Sequence, residues 1–206
     1  ILGMFPVLFR GGGIFAGDTV TSRLATVYAL AHDGTWYIDR PLDLPENPFI
    51  AHTVDKVVTK EGHLLSSKPP VLPLLMTGEY MVMRALFDWN LDNKEQLRPI
   101  LKVMIFTLVK IPYIIGLVFF AMILRIFLAD CGAAALLLAM LAFASPLPGY
   151  ACQLNNHTPA AAAMIVALFF GLGIYTDKLK CAPVNFLAFG FFSALVFVLD
   201  MPATVF

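Results

Sequence analysis

Charged residues are scarce in this 206-residue chain: they make up 14% of it, against roughly 25% in an ordinary soluble domain. Apolar residues make up 59%. This composition argues against a soluble domain and indicates a membrane protein. The formal net charge is zero, so no basic excess points to nucleic acid and we expect no such partner.

Cysteine is also rare. Cys131, Cys152 and Cys181 stand at or beside the ends of apolar segments and lack the spacing of metal ligands, which argues against a disulfide framework or a zinc site. His32, His52 and His63 show no helical metal pairing, and lone loop histidines are more often solvated than ligands. The sequence therefore predicts no metal ligands, and it leaves open whether a divalent metal assists a reaction.

The charges that are present concentrate in the amino-terminal half, since 21 of the 28 charged residues lie within residues 1–102. The chain begins without Met and stops inside an apolar run, so we expect a piece of a longer protein. Residues 1–9 are predicted to be the end of a truncated first transmembrane helix, because about 20 apolar residues are needed to span a bilayer. Residues 10–98 then form a polar loop.

This loop is predicted to carry two amphipathic helices, at residues 19–32 and 71–89, which are typical of helices that lie in the membrane interface. Between them, residues 53–65 predict a short hairpin. Asp18 stands at the start of the first helix. It fits either an N-cap carboxylate or a catalytic base. Because Asp18 and Lys68 stand where the two helices begin, and helix starts favour anionic groups, we expect their side chains to approach each other.

Beyond the loop, the chain is predicted to be an all-α polytopic membrane region. Alternate crossing, with the loop outside, puts Arg125, Lys178 and Lys180 on the inner side, as the positive-inside rule prefers. The loop is thus expected to be extracytoplasmic. Four apolar runs are predicted to span the bilayer: 101–128, 133–152, 159–175 and 184–206.

The segment Ser67-Lys68-Pro69-Pro70 is the feature around which a site is expected to form. Two prolines, which fix φ and lack an N–H group, follow the lysine and hold its cation at a rigid, extended step. The polar and charged residues expected at the same membrane face are Asp18, Arg23, Asp55, Lys56, His63, Lys68, Asn155, Asn156 and His157. Cations beside a carboxylate at a lipid surface suit a lipid-linked phosphate donor: the cations hold the phosphate and the carboxylate accepts a proton.

The chain resembles the bacterial membrane glycosyltransferases of the GT-C superfamily, in the branch of protein O-mannosyltransferases and the aminoarabinose transferase of lipid A. The resemblance lies in SR-LATVYALAHDGTW, TVDKV, SSKPPVLPLL and LNNHTPAA. It covers the chain from Gly17 onward and only the amino-terminal part of a family member.

This resemblance implies transfer of a sugar from a polyprenyl-phosphate carrier to a hydroxyl of a glycan, lipid or protein acceptor, at the periplasmic face of the bacterial inner membrane. It implies an aspartate as base and Lys68 at the donor phosphate. The family places an acidic residue about three positions before the arginine, where this chain has Val20, and Asp18 lies five before Arg23. The base is therefore Asp18 or Asp55, or the activity has been lost.

Two other classes compete with a glycosyltransferase. A secondary transporter needs polar groups at the bilayer midplane and repeated halves; Lys110 fits the first requirement, and no internal repeat is present. A non-catalytic membrane scaffold explains the hydropathy but not the gathered charges.

Overall fold

The structure is a computed structural model that describes residues 17–201. These residues are mostly helical, which confirms the predicted helical class. The predicted end of a first transmembrane helix, residues 1–9, lies outside the described residues, as do residues 202–206. The described residues divide into two compact units, one that ends at Met104 and one that begins at Ile105.

The first unit is built around a buried helix. Its elements are α1 (Asp18–His32), a 3-10 turn (Ile50–His52), strands β1 (Lys56–Val58) and β2 (Leu64–Ser66), α2 (Val71–Phe87) and the start of α3 (Lys94–Ile105). All residues from Ser22 to Ala29 of α1 are buried, and α1 packs against α2 and β2.

The burial of α1 corrects the prediction that residues 19–32 lie in the membrane interface. Periodic apolar spacing marks a face that must be covered, and here protein covers it, since Leu24 and Val27 are buried in the unit. The second helix differs. α2 buries Leu72 and Met76 but exposes a second apolar face that includes Met81, Val82 and Leu86. That α2 lies in the membrane interface stays a prediction. An exposed apolar face of this kind is what an interfacial helix presents to the lipid.

The hairpin is confirmed. β1 and β2 pair antiparallel, with Lys56 opposite Ser66 and Val58 opposite Leu64. The chain turns at Gly62, whose φ of 92° lies in the left-handed region that favours glycine. The open end of the hairpin therefore brings the residues just before β1 close to those just after β2.

The polar linker predicted up to residue 98 is shorter than expected, because helix α3 begins at Lys94. Asn93 provides the start signal: its side-chain oxygen accepts a 2.9 Å hydrogen bond from the N–H of Glu95, as an N-cap residue does. The helical stretch Lys94–Phe127 has 34 residues and is long and apolar enough to cross a membrane.

The second unit contains four further helices: α4 (Ile111–Phe127), α5 (Cys131–Ala139), α7 (His157–Tyr175) and α8 (Pro183–Leu199), with a single turn, α6 (Leu147–Tyr150), between α5 and α7. A π-helical turn (Phe106–Lys110) precedes α4. Pro112 follows at once and lacks the N–H group of a regular helix, which suits a local widening of this kind.

Of the four predicted spans, two correspond to helices long and apolar enough to cross a membrane, Lys94–Phe127 and His157–Tyr175. The run 133–152 is not one helix. Its helix ends at Ala144, after a π-helical turn, because Pro146 forces Ser145 into an extended conformation with ψ of 168°. The last described helix, Pro183–Leu199, is a shorter apolar helix.

Helices α4 and α7 run parallel. Gly116 of α4 lies against Ala162 of α7, and further along both helices Phe119 contacts Phe169 with ring centroids 5.2 Å apart. Helices α7 and α8 are antiparallel, since the start of α7 meets the end of α8 at His157 and Asp200. One end of this unit therefore carries the carboxyl ends of α4 and α7, and the other carries the start of α7.

Candidate functional site

The hairpin positions the two charged residues of the candidate site. Asp55 directly precedes β1 and Lys68 lies two residues beyond β2. The pairing of the strands continues past Lys56 and Ser66, because the N–H of Ser67 donates to the carbonyl of Asp55 over 3.1 Å. The antiparallel register thus brings Asp55 and Lys68 together from distant points of the sequence.

Lys68 and Asp55 form an ion pair. The ammonium Nζ of Lys68 lies 2.9 Å from Oδ2 of Asp55, and the side chains are 20% and 25% exposed. Both groups therefore remain reachable by a ligand. Pro69 and Pro70 follow, and α2 begins at Val71, so the backbone that presents the cation is stiff.

Two buried or half-buried serines tie this segment to α1. The hydroxyl of Ser22 donates to the carbonyl of Asp55 over 2.6 Å and lies 2.6 Å from the hydroxyl of Ser66. Because Ser22 has one hydroxyl proton and the carbonyl of Asp55 has none, Ser66 is the donor in the second bond. Ser66 in turn accepts from the N–H of Lys68 over 3.2 Å. This directional chain of hydrogen bonds, the serine tether, fixes the ion pair to the buried helix.

A cleft of about 220 Å³ opens beside the lysine. Its walls are largely apolar, and Lys68 and Ser66 supply polar groups. The indole of Trp36 also lines it and is 41% exposed. A small, half-open cleft with one cation and one aromatic ring suits an anionic ligand that also has a less polar part.

Asp18, expected to face Lys68, lines a different cavity of about 590 Å³ together with Leu24, Phe49, His52 and Leu97. Lys68 finds its carboxylate in Asp55 instead. The N-cap interpretation of Asp18 is also wrong in detail, because the N-cap position is Gly17 and Asp18 is the first helical residue. Its carboxylate stands near the positive end of α1, exposed, and has no hydrogen-bond partner within residues 17–201.

The other predicted cations serve local structure. Arg23 is 3% exposed, and its Nη1 donates to the carbonyl of Thr19 over 3.2 Å. Lys56 donates from Nζ to the carbonyl of Ile50 over 3.1 Å. Neither makes a direct contact with the Asp55–Lys68 pair in the contacts described for these residues.

His63 pairs with a carboxylate that was not predicted. Its Nδ1 lies 2.9 Å from Oδ2 of Asp39, and its ring stacks on Tyr37 with centroids 4.3 Å apart. Partial burial opposes ionisation of Asp39, but hydrogen bonds from His63 and from the N–H of Leu64 outweigh it and lower the pKa of the Asp39 carboxyl. This arrangement braces the hairpin turn.

In the second unit, the predicted Asn155-Asn156-His157 cluster gathers at the start of α7. Nδ1 of His157 lies 2.5 Å from Oδ2 of Asp200, and Nδ2 of Asn156 donates to the carbonyl of Leu199 over 3.0 Å. The side-chain oxygen of Asn155, which lies just before the N-cap residue Asn156, accepts from the N–H of Thr158 over 2.8 Å. Asp200 therefore lies at the same end of this unit as the cluster.

Sequence reasoning identified both members of the ion pair but missed the serine tether. A signal was present: a hairpin that turns near Gly62 aligns Lys56 with Ser66, so Asp55 falls opposite Ser67 and beside Lys68. The partner of Ser22 on α1 depends on how the hairpin packs against that helix, which the hairpin pattern alone does not specify.

Within residues 17–201 no group of three or more His, Cys, Asp or Glu side chains is arranged to hold a metal ion. Comparison of the chain with protein-family models, with curated proteins and with solved structures finds no significant match.

Proposed function

We propose that this chain belongs to a membrane glycosyltransferase that transfers a sugar from a polyprenyl-phosphate donor to an acceptor hydroxyl. The observation that carries the proposal is the Asp55–Lys68 ion pair, 2.9 Å long and partly exposed, at the edge of a cleft lined by Trp36. Two helices long and apolar enough to cross a membrane support a lipid-linked substrate.

The ion pair supplies the two groups that such a transfer needs. When a donor phosphate enters the cleft, its oxygens compete with Asp55 for the ammonium of Lys68. Asp55 is then released from its counter-charge, and its oxygens are free to accept a hydrogen bond from the acceptor hydroxyl. Binding of the donor itself thus frees the carboxylate for the transfer.

The chemical step follows from this exchange. Asp55 accepts the proton of the acceptor hydroxyl, whose oxygen forms a bond to the anomeric carbon of the sugar. The bond from that carbon to the phosphate oxygen breaks, and the lipid phosphate leaves with the bonding electron pair. Lys68 stabilises the charge on this leaving group.

Asp18 is the second candidate base. It is exposed at the rim of the larger cavity, and its carboxylate has no hydrogen-bond partner among the described residues. A carboxylate without a partner needs no displacement, but Asp18 lacks the adjacent cation that Asp55 has. The pairing with Lys68 therefore favours Asp55.

Transport is a second candidate function, and one observation favours it. Lys110 is 4% exposed within the membrane-length helical stretch Lys94–Phe127, and it lies in a π-helical turn, a distortion often found at functional sites. Solute uptake by the wild-type protein that is lost in Lys110→Leu, with no sugar transfer by either, would assign the chain to this class.

The proposal is tested with the full-length protein in membranes, supplied with radiolabelled polyprenyl-phosphate sugars. Lys68→Ala should lower transfer about a hundred- to a thousandfold, the usual effect of removing a charge-stabilising donor. Asp55→Asn should lower it about a hundred- to ten-thousandfold. The matched control is Lys60→Ala, which removes an exposed cation from the turn of the same hairpin. Wild-type transfer by both site variants would refute the proposal.

A further inference from the structure

A groove of about 380 Å³ lies between the end of α4 and the start of α5 in the second unit. Its walls come from small and aliphatic residues, among them Ala121, Leu124, Ala134 and Leu138. Taking about 30 Å³ for a water-sized group, the groove has room for roughly a dozen methylene groups. This is about the volume of one acyl chain.

One cation lines this groove, Arg125 in the last turn of α4. Its guanidinium has no ion pair or hydrogen bond among the described residues. The carboxylate nearest in sequence, Asp130, is engaged elsewhere: its Oδ1 accepts from the N–H groups of Gly132 and Ala133 over 2.6 Å and 3.2 Å and caps α5. Arg125 therefore lacks a counter-ion from this segment of the protein.

The end of the unit that carries Arg125 is basic. Because α4 and α7 are parallel, the loop after α7 lies at the same end and adds Lys178 and Lys180. Among the described residues, its carboxylates are Asp130 and Asp177, which leaves these five side chains with a net charge of +1. Arg125 closes a membrane-length helix, so a bilayer around that helix would place the guanidinium near the head-group level.

We propose that this groove is a binding site for an anionic phospholipid, with one acyl chain in the groove and the phosphate on Arg125. Charge complementarity carries the assignment. The planar guanidinium can make two parallel hydrogen bonds to phosphate oxygens, and the apolar walls below it take the chain that a free phosphate lacks. The phosphate of a zwitterionic lipid already has a cation in its own head group, so the lipid gains less binding free energy from Arg125.

The test uses native mass spectrometry of the purified full-length chain, titrated with phosphatidylglycerol, phosphatidylcholine or inorganic phosphate. We expect phosphatidylglycerol to bind at least about tenfold more tightly than phosphatidylcholine, and Arg125→Gln to remove that preference. Lys60→Gln, which removes an exposed cation from the hairpin turn of the first unit, should keep it. Ala134→Leu, which fills the groove, should weaken both lipids.

Three outcomes would overturn the assignment. An unchanged lipid preference in Arg125→Gln would mean that the guanidinium does not recognise the head group. Equal occupancy by inorganic phosphate would make the site an anion site rather than a lipid site. Lipid binding unaffected by Ala134→Leu would show that the chain lies elsewhere, for instance because another helix fills the groove. Since the readout is binding, these results do not depend on sugar transfer.

Discussion

The serine tether is the part of the site whose energetic role is easiest to isolate. Ser22 is fully buried, and Ser22→Ala removes both its bond to the carbonyl of Asp55 and the acceptor of the Ser66 hydroxyl. The carbonyl keeps the N–H of Ser67 as a donor, and the half-buried Ser66 can turn to water. With about 0.5–1.5 kcal/mol for each neutral hydrogen bond, we expect a loss of about 1–2 kcal/mol.

A double-mutant cycle tests this. Ser22→Ala, Ser66→Ala and the double variant are unfolded in urea in mild detergent and followed by Trp36 fluorescence, with Trp89→Phe as the common background. Because each single change disturbs the shared bond, the double variant should lose less than the sum of the two, with a coupling of about 0.5–1 kcal/mol. Thr21→Ala, which removes a bond inside α1, is the control. Strictly additive losses would refute the tether.

Two further predictions concern packing and pH. Gly116→Ala should destabilise the chain by up to about 2 kcal/mol, because the new Cβ would lie 3.2 Å from the Cα of Ala162, and overpacking of about 1–3 kcal/mol exceeds the gain in helix propensity of about 1 kcal/mol. Gly190→Ala is the control, since its Cβ would meet open space and its melting temperature should not fall. Equal melting temperatures for the two variants would contradict the close contact between α4 and α7. Burial, with help from Arg84, lowers the pKa of His32. The unfolded chain therefore takes up the proton first, and the free energy of unfolding should fall as the pH drops below about 6.5. In urea titrations between pH 7 and 5, His32→Phe should reduce this dependence on pH, and an unchanged dependence would assign it to other groups.

The sequence predicts local structure well wherever a single pattern determines it. Gly62 marks the hairpin turn, and the resulting register places Asp55 beside Lys68. The interfacial placement of α1 failed for a physical reason: apolar spacing shows that a face must be buried, but it does not distinguish lipid from protein as the cover. The predicted span 133–152 ends early because Pro146 holds Ser145 in an extended conformation. Apolar content alone favoured a longer helix.

The sequence predicted which residues belong to the candidate site better than it predicted which of them form pairs. Asp18 and Lys68 each start or precede a helix, which suggested that they meet. The hydrogen bonds of Thr53 show why Asp55 is the residue that reaches Lys68: the Thr53 hydroxyl donates to the carbonyl of Asp18 over 2.9 Å and accepts from the N–H of Asp55 over 3.1 Å. The chain is thus anchored beside α1 before it turns toward the lysine.

The central claim is that a donor phosphate displaces Asp55 from Lys68, and binding of the donor to Asp55→Asn tests it most directly. Titration of the Trp89→Phe protein with a polyprenyl-phosphate sugar, followed by Trp36 fluorescence, gives the dissociation constant. Because a partly exposed ion pair is worth about 0.2–1 kcal/mol, removing the competing carboxylate should tighten donor binding up to about fivefold while sugar transfer is lost. Weaker or unchanged donor binding in Asp55→Asn would contradict the displacement.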